Sequence, residues 1–139
     1  MSRQSAGKWV ALTGGDGNDT LDGGDTTAND TLAGGLGDDT YVVRNLGDVV
    51  TEAAGQGNDT IVLSSSGMTY TTVANVETLK VDDAASGVTA TGLAAGSIMY
   101  AGKLGSTLIG LGGKDTFFGG DGDDNLSSKR VFSLSIPKS

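Results

Sequence analysis

Aspartates recur in this chain at a fixed place after paired glycines. In GGDGNDTLD (Gly14–Asp22), GGLGDDTYV (Gly34–Val42) and GGDGDDNLS (Gly119–Ser127), glycine fills the first, second and fourth places, Asp the sixth and an apolar residue the eighth. A glycine turn exposes backbone carbonyls, and an Asp on the same turn adds a charged oxygen. Carbonyls with carboxylates are the donors of a hard cation such as calcium, which takes roughly six to eight oxygens. One such turn offers too few oxygens, whereas two stacked turns offer enough.

Most other chemistry is excluded by composition. The 139 residues include no Cys and no His, which removes disulfides, thiolate metal sites and every Ser-His-Asp or Cys-His arrangement. Acidic residues number 17 against 9 basic, for a net charge of −8. This is a poor surface for nucleic acid, whose binding rests on basic groups. No apolar run nears the ~20 residues of a membrane span, and MSRQSAGKWVALTGG has no apolar stretch typical of a signal peptide. The 24 glycines disfavour helices and fall at no strict third position, so collagen is excluded too.

Stepping in nines from Gly14 extends the pattern through the whole chain. The count holds if two residues are inserted at three places: inside the second unit (TTAND), at Glu52–Ala53 and at Ala90–Thr91. The eighth place then reads Leu21, Leu32, Tyr41, Val50, Ile61, Tyr70, Leu79, Val88, Met99, Leu108, Phe117 and Leu126, all apolar. The sixth reads Asp19, Asp30, Asp39, Asp48, Asp59, Met68, Glu77, Ser86, Ser97, Ser106, Asp115 and Asp124. The apolar place persists throughout, while the carboxylates fade in the middle. Each unit joins a glycine turn to a short strand of Thr and apolar residues. Two units, with a turn on each edge, make one coil of a β-solenoid.

The pattern G-G-x-G-x-D-x-U-x, with U apolar, resembles the RTX family of secreted bacterial proteins. It is complete in the three stretches quoted and close in AGQGNDTIV (Ala54–Val62) and GLGGKDTFF (Gly110–Phe118). The resemblance implies an all-β fold, a right-handed parallel β-roll with Ca2+ between turns. It spans about 14–127, with a degenerate middle near 63–109. Residues 1–13 are expected to form an N-terminal cap in which Trp9, Val10 and Leu12 take part. Residues 128–139 are expected to be a capping strand, with Phe132, Leu134 and Ile136 alternating with serines, or a type I secretion tail.

Turns two units apart stack, so the sixth-place residues fall into two rows. One edge carries Asp19, Asp39, Asp59, Glu77, Ser97 and Asp115; the other carries Asp30, Asp48, Met68, Ser86, Ser106 and Asp124. The first edge offers two metal sites, Asp19 with Asp39 and Asp39 with Asp59. Their turns are Gly14, Asp16, Gly17; Gly34, Leu36, Gly37; and Ala54, Gly57. The family often uses oxygens at the third and fifth places, so Asp16 and Asp38 are further candidates. The second edge offers Asp30 with Asp48. Asp115, Asp121 and Asp124 would bind less tightly, because their expected neighbours are Ser97 and Ser106. The same aspartates also suit ordinary surface turns, and Glu77 suits a solvated charge. The NDT sequons at Asn18, Asn29 and Asn58 are read as turn residues, since a glycan would disrupt the turn.

These readings describe a non-catalytic calcium module that folds after export, secreted as part of a larger toxin, hydrolase or adhesin through type I machinery. The alternative is an adhesion or ice-binding solenoid that uses an outward Thr ladder, since Thr fills the seventh place in eight of the twelve units.

Overall fold

The computed structural model describes residues 8–24, 27–128 and 131–135, the last five in backbone only. Residues 1–7 of the expected cap, Thr26 of the first insertion and Ile136 of the tail lie outside the described residues. The strands are β1 (Ala11–Asp16), β2 (Thr20–Asp22), β3 (Thr31–Leu36), β4 (Thr40–Val43), β5 (Val49–Thr51), β6 (Thr60–Leu63) and β7 (Thr69–Thr71). They continue as β8 (Thr78–Val81), β9 (Val88–Thr91), β10 (Ile98–Tyr100), β11 (Ser106–Gly110), β12 (Asp115–Phe118), β13 (Asn125–Ser128) and β14 (Val131–Ser135). No helix occurs among the described residues.

The strand pairings given by the described residues are all parallel and join strands two apart in the chain. The even-numbered strands form one continuous wall, β14-β12-β10-β8-β6-β4-β2. The odd-numbered strands form the facing wall in two pieces, β1-β3-β5 and β13-β11-β9-β7. The result is a β-solenoid of about 6 turns, the all-β parallel roll expected. Strands this short cannot persist alone, and each is held by the ladder bonds to its neighbours and by its one or two inward side chains.

The inward side chains form one column. Leu21, Leu32, Tyr41, Val50, Ile61, Tyr70, Leu79, Met99, Leu108 and Phe117 are all buried at the eighth place, and Leu126 packs against them. Val43, Leu63 and Val81, two residues further along their strands, fill the remaining space. Leu12 pairs with Leu32, so the column begins two residues before Gly14, on the same strand. Trp9, expected in the cap, is instead 71% exposed. In the tail, β14 pairs with β12 and places Leu134 in register with Phe117.

One register assignment is corrected. Ala90, and not Val88, pairs with both Tyr70 and Leu108. Val88 therefore holds the sixth place, opposite Ser106, and Ser86 is displaced to the turn, where its N–H bonds Ser66 Oγ at 3.0 Å. The third insertion lies earlier than Ala90–Thr91, within the turn between β8 and β9. Both placements put an apolar residue in the column, so alternation alone did not separate them. The second-edge row is thus Asp30, Asp48, Met68, Val88, Ser106 and Asp124.

Leu79 is fully buried where β8 joins β6 and β10. Leu79→Ala is expected to cost about 2–5 kcal/mol through lost transfer energy and an unfilled cavity. Denaturant titration should show this loss with or without calcium, since the column contains no ion ligand.

Candidate metal centre

Sixth-place carboxylates from Asp30 onward reach back to the preceding coil. On the first edge, Asp19 N donates to Asp39 Oδ1 at 2.8 Å, Asp39 N to Asp59 Oδ1 at 2.8 Å, and Asp59 N to Glu77 Oε2 at 2.9 Å. Further along, Ser97 N donates to Asp115 Oδ1 at 3.1 Å. On the second edge, Val10 N bonds Asp30 Oδ1 at 2.8 Å, Asp30 N bonds Asp48 Oδ1 at 3.0 Å, and Ser106 N bonds Asp124 Oδ1 at 2.9 Å. These N–H groups sit where the chain enters a strand, and a carboxylate from the next coil satisfies each. Glu77, expected to be a solvated charge, is part of this ladder.

The second carboxylate oxygen turns inward over the glycine that opens its own turn. A Cβ at Gly34 would collide with Asp39 Oδ2, and one at Gly23 or Gly110 with Asp30 or Asp115 Oδ2. In these turns glycine at the first place leaves the room that the sixth-place carboxylate occupies.

What this second oxygen meets divides the aspartates. Asp48 Oδ2 accepts Arg44 N and Asn45 N, both at 3.1 Å. Asp124 Oδ2 accepts Gly120 N at 2.8 Å, and Asp115 Oδ2 accepts Ser128 Oγ at 2.5 Å. The buried Oδ2 atoms of Asp30, Asp39 and Asp59 accept no hydrogen bond among the described residues. A buried carboxylate oxygen without a partner is costly unless a positive charge faces it.

The glycine turns stack closely. Gly17 N donates to Leu36 O at 2.6 Å and Gly37 N to Gln56 O at 2.7 Å, across successive coils. Gly37, at φ 127°, lies so near the Gly17 carbonyl that a Cβ would strike it, and Gly57 lies likewise on Gly37. Fifth-place side chains form a second ladder: Asp38 N bonds Asn18 Oδ1 at 2.8 Å and Asn58 N bonds Asp38 Oδ1 at 2.9 Å. Asp16, Leu36, Ala54 and Asp121 are exposed at the turn surface. The first-edge turns headed by Gly14, Gly34 and Ala54 are thus brought together, and the C-terminal Asp115 and Asp124 lie in other coils.

One residue at this edge escaped the pattern, and the hydroxyl of another, Tyr41, has a role that its place in the apolar column did not reveal. Glu52, in the inserted pair, places a carboxylate oxygen within 4.8 Å of oxygens from Asp39 and Asp59. Its Oε1 accepts Ala53 N–H at 3.0 Å, and its Oε2 accepts the Tyr41 hydroxyl, which in turn accepts Gly34 N–H at 2.8 Å. An acidic residue inside an insertion that opens an Asp-bearing turn was the available signal. Burial and the Glu52 carboxylate push the Tyr41 hydroxyl well above the usual tyrosine range. Burial first, then Glu52, Asp39 and Glu77, push Asp59 up to about 6. Farther out, the Arg44 guanidinium bonds Asp22 through Nε at 2.9 Å and Nη2 at 2.8 Å, linking β2 to the end of β4 and holding Asp22 below its ordinary value.

A family model for the RTX calcium-binding nonapeptide repeat matches four copies, at residues 11–41 and 100–129. The chain carries RTX calcium-binding repeats. No curated protein and no solved structure matches the chain. Calcium is the ion that RTX repeats bind, and the donors here suit it: hard carboxylate oxygens, three of them buried with no partner among the described residues, on turns rich in backbone carbonyl. The chain is a calcium-binding β-roll module. The matched repeats lie at its two ends, and Asp59 falls between them.

The raised Asp59 value has a definite sign. Its folded value of about 6 exceeds the ordinary 3.8, so the folded metal-free chain holds more protons than the unfolded chain between these values. Stability of the metal-free roll should fall as pH rises from about 4 to above 6, and calcium should compete with the Asp59 proton. Calcium titrations at pH 5 and pH 7.5 are expected to show weaker binding at pH 5, and thermal melts in chelator the opposite trend.

Proposed function

We propose that the RTX repeats of this chain couple folding to calcium, and that the ions sit in its N-terminal half. Two sites lie on the first edge, between Asp19 and Asp39 and between Asp39 and Asp59, with a third beside Asp30. The observation that carries this reading is the set of buried Oδ2 atoms at Asp30, Asp39 and Asp59 that have no partner among the described residues. At Asp48, Asp115 and Asp124 the chain supplies its own donors, which supports a structural use for these three.

Bound calcium would supply the counter-charge that stacked carboxylates need. Without it, a chain of net charge −8 has repelling acids gathered at its turns, and its N-terminal coils stay open. A ligand that binds only the folded state stabilises it by about 2.7 kcal/mol per independent site at a hundredfold excess over Kd. The module would be exported unfolded and fold outside, as part of a larger secreted toxin, hydrolase or adhesin, with type I machinery as the route. RTX repeats are typical of secreted proteins, which supports this setting. The role is non-catalytic, in keeping with a sequence that has no His and no Cys.

A second reading rests on the outer face of the long wall. Thr20, Thr40, Thr60 and Thr78 align in register on neighbouring strands, beside Val42 and Val62. Such a flat ladder suits adhesion or ice binding. Ile98 and Lys80 interrupt it at the next strands, which favours the calcium reading. Thermal hysteresis of the purified chain would support the ice alternative.

Far-UV circular dichroism, titrated with calcium from a chelated start, tests the main proposal. A cooperative gain of β signal with calcium, and none with magnesium, is expected. A full β signal in chelator that calcium leaves unchanged would overturn it. Asp39→Ala should weaken calcium affinity most, because Asp39 borders two sites, while Asp124→Asn should leave affinity near that of the unaltered chain. Calorimetric titration of both variants checks the contrast.

A further inference from the structure

Glu52 belongs to no nonapeptide position and lies outside the matched repeats. Its place in the roll follows from its neighbour: Thr51 pairs with Ala33, so Glu52 stands at the level of Gly34 one coil on. At Gly34 any side chain would collide with the Asp39 carboxylate and the Tyr41 hydroxyl. The turn that Glu52 opens is two residues longer, and here a side chain is admitted.

That side chain is directed to the acid pair. One oxygen each from Asp39, Glu52 and Asp59 lie within 4.8 Å of one another. Asp39 and Asp59 are each only 1% exposed, and each has a buried Oδ2 that accepts no hydrogen bond among the described residues. Tyr41 explains the direction Glu52 takes. Its hydroxyl accepts the Gly34 N–H, which orients its single hydrogen toward the Glu52 carboxylate. The phenol is fixed in turn by complete burial in the apolar column. A solvated glutamate would gain nothing by approaching two buried aspartates, because like charges at this distance repel strongly. A shared cation reverses the sign of that arrangement.

We propose that Glu52 is a calcium ligand added to the repeat, so that Asp39, Glu52 and Asp59 hold one divalent ion between them, with Tyr41 as the positioning residue. The inference rests on the calcium reading above and deepens it. Three carboxylates give this site more negative charge than a site built from two sixth-place aspartates, and ligand charge is a main determinant of calcium affinity. The site is therefore the tightest in the chain and the first to fill.

The test compares the full chain with Glu52→Gln and Tyr41→Phe, in calorimetric calcium titrations and in thermal melts with chelator. Glu52→Gln should weaken the tightest site on the order of 10- to 100-fold, the scale seen when groups around a metal are removed. It should also melt higher than the unaltered chain in chelator, because one of three repelling charges is gone. Tyr41→Phe should weaken the same site by a smaller factor. Unchanged affinity in Glu52→Gln overturns the assignment. So does a lower melting point in chelator, which would mark Glu52 as a structural acceptor for Tyr41 alone. Should Glu52→Gln not fold, Glu52→Asp carries the test: it withdraws the charge by one methylene, and affinity equal to that of the unaltered chain overturns the assignment. An unaltered chain that binds no calcium would overturn the calcium reading itself, a result distinct from any behaviour of Glu52.

Discussion

The roll depends on a carboxylate placed between stacked turns. From Asp30 onward, one oxygen of the sixth-place acid takes the N–H of the coil before it, and this stitches successive coils at the edges where no strand ladder exists. At Asp30, Asp39 and Asp115 the other oxygen turns onto the glycine that opens the same turn. The first demand fixes the axial spacing of the turns, and the second excludes side chains at Gly23, Gly34 and Gly110. A nonapeptide with glycine at one, Asp at six and an apolar residue at eight is the sequence form of both demands together.

The chain satisfies the second oxygen in two ways. At Asp48, Asp115 and Asp124 its own donors do so: the N–H groups of Arg44 and Asn45, the Ser128 hydroxyl and the Gly120 N–H. At Asp30, Asp39 and Asp59 no donor among the described residues reaches it. Between these groups, Met68, Val88, Ser97 and Ser106 occupy the row without charge. The roll thus passes along its length from carboxylate-rich turns to a middle held by apolar packing and neutral hydrogen bonds, and carboxylates return at Asp115 and Asp124. The apolar column runs through both parts without interruption.

Much of this was legible before any coordinates. The nine-residue period, the inward eighth place, the pairing of turns two units apart and the fading of charge in the middle follow from local alternation and glycine placement. Where local signals were degenerate, the reading slipped: Val88 and Ala90 are both apolar and two residues apart, and only pairing with Tyr70 and Leu108 distinguishes them. Trp9 looked like a cap by composition, and its exposure was not a property its neighbours in the sequence could reveal.

By itself the sequence determined the repeat, its parallel coiling and the turns that bear acids, because each of these is settled within nine residues. The tertiary structure decided which carboxylates find a donor for the second oxygen and which do not, because a nearby N–H serves only where the folded turn aims it there, as at Asp48 and Asp124, and the Ser128 hydroxyl reaches Asp115 from 13 residues away. It also decided that Glu52 turns inward to Asp39 and Asp59. That direction is set by a tyrosine hydroxyl 11 residues back, which no spacing rule for the nonapeptide contains.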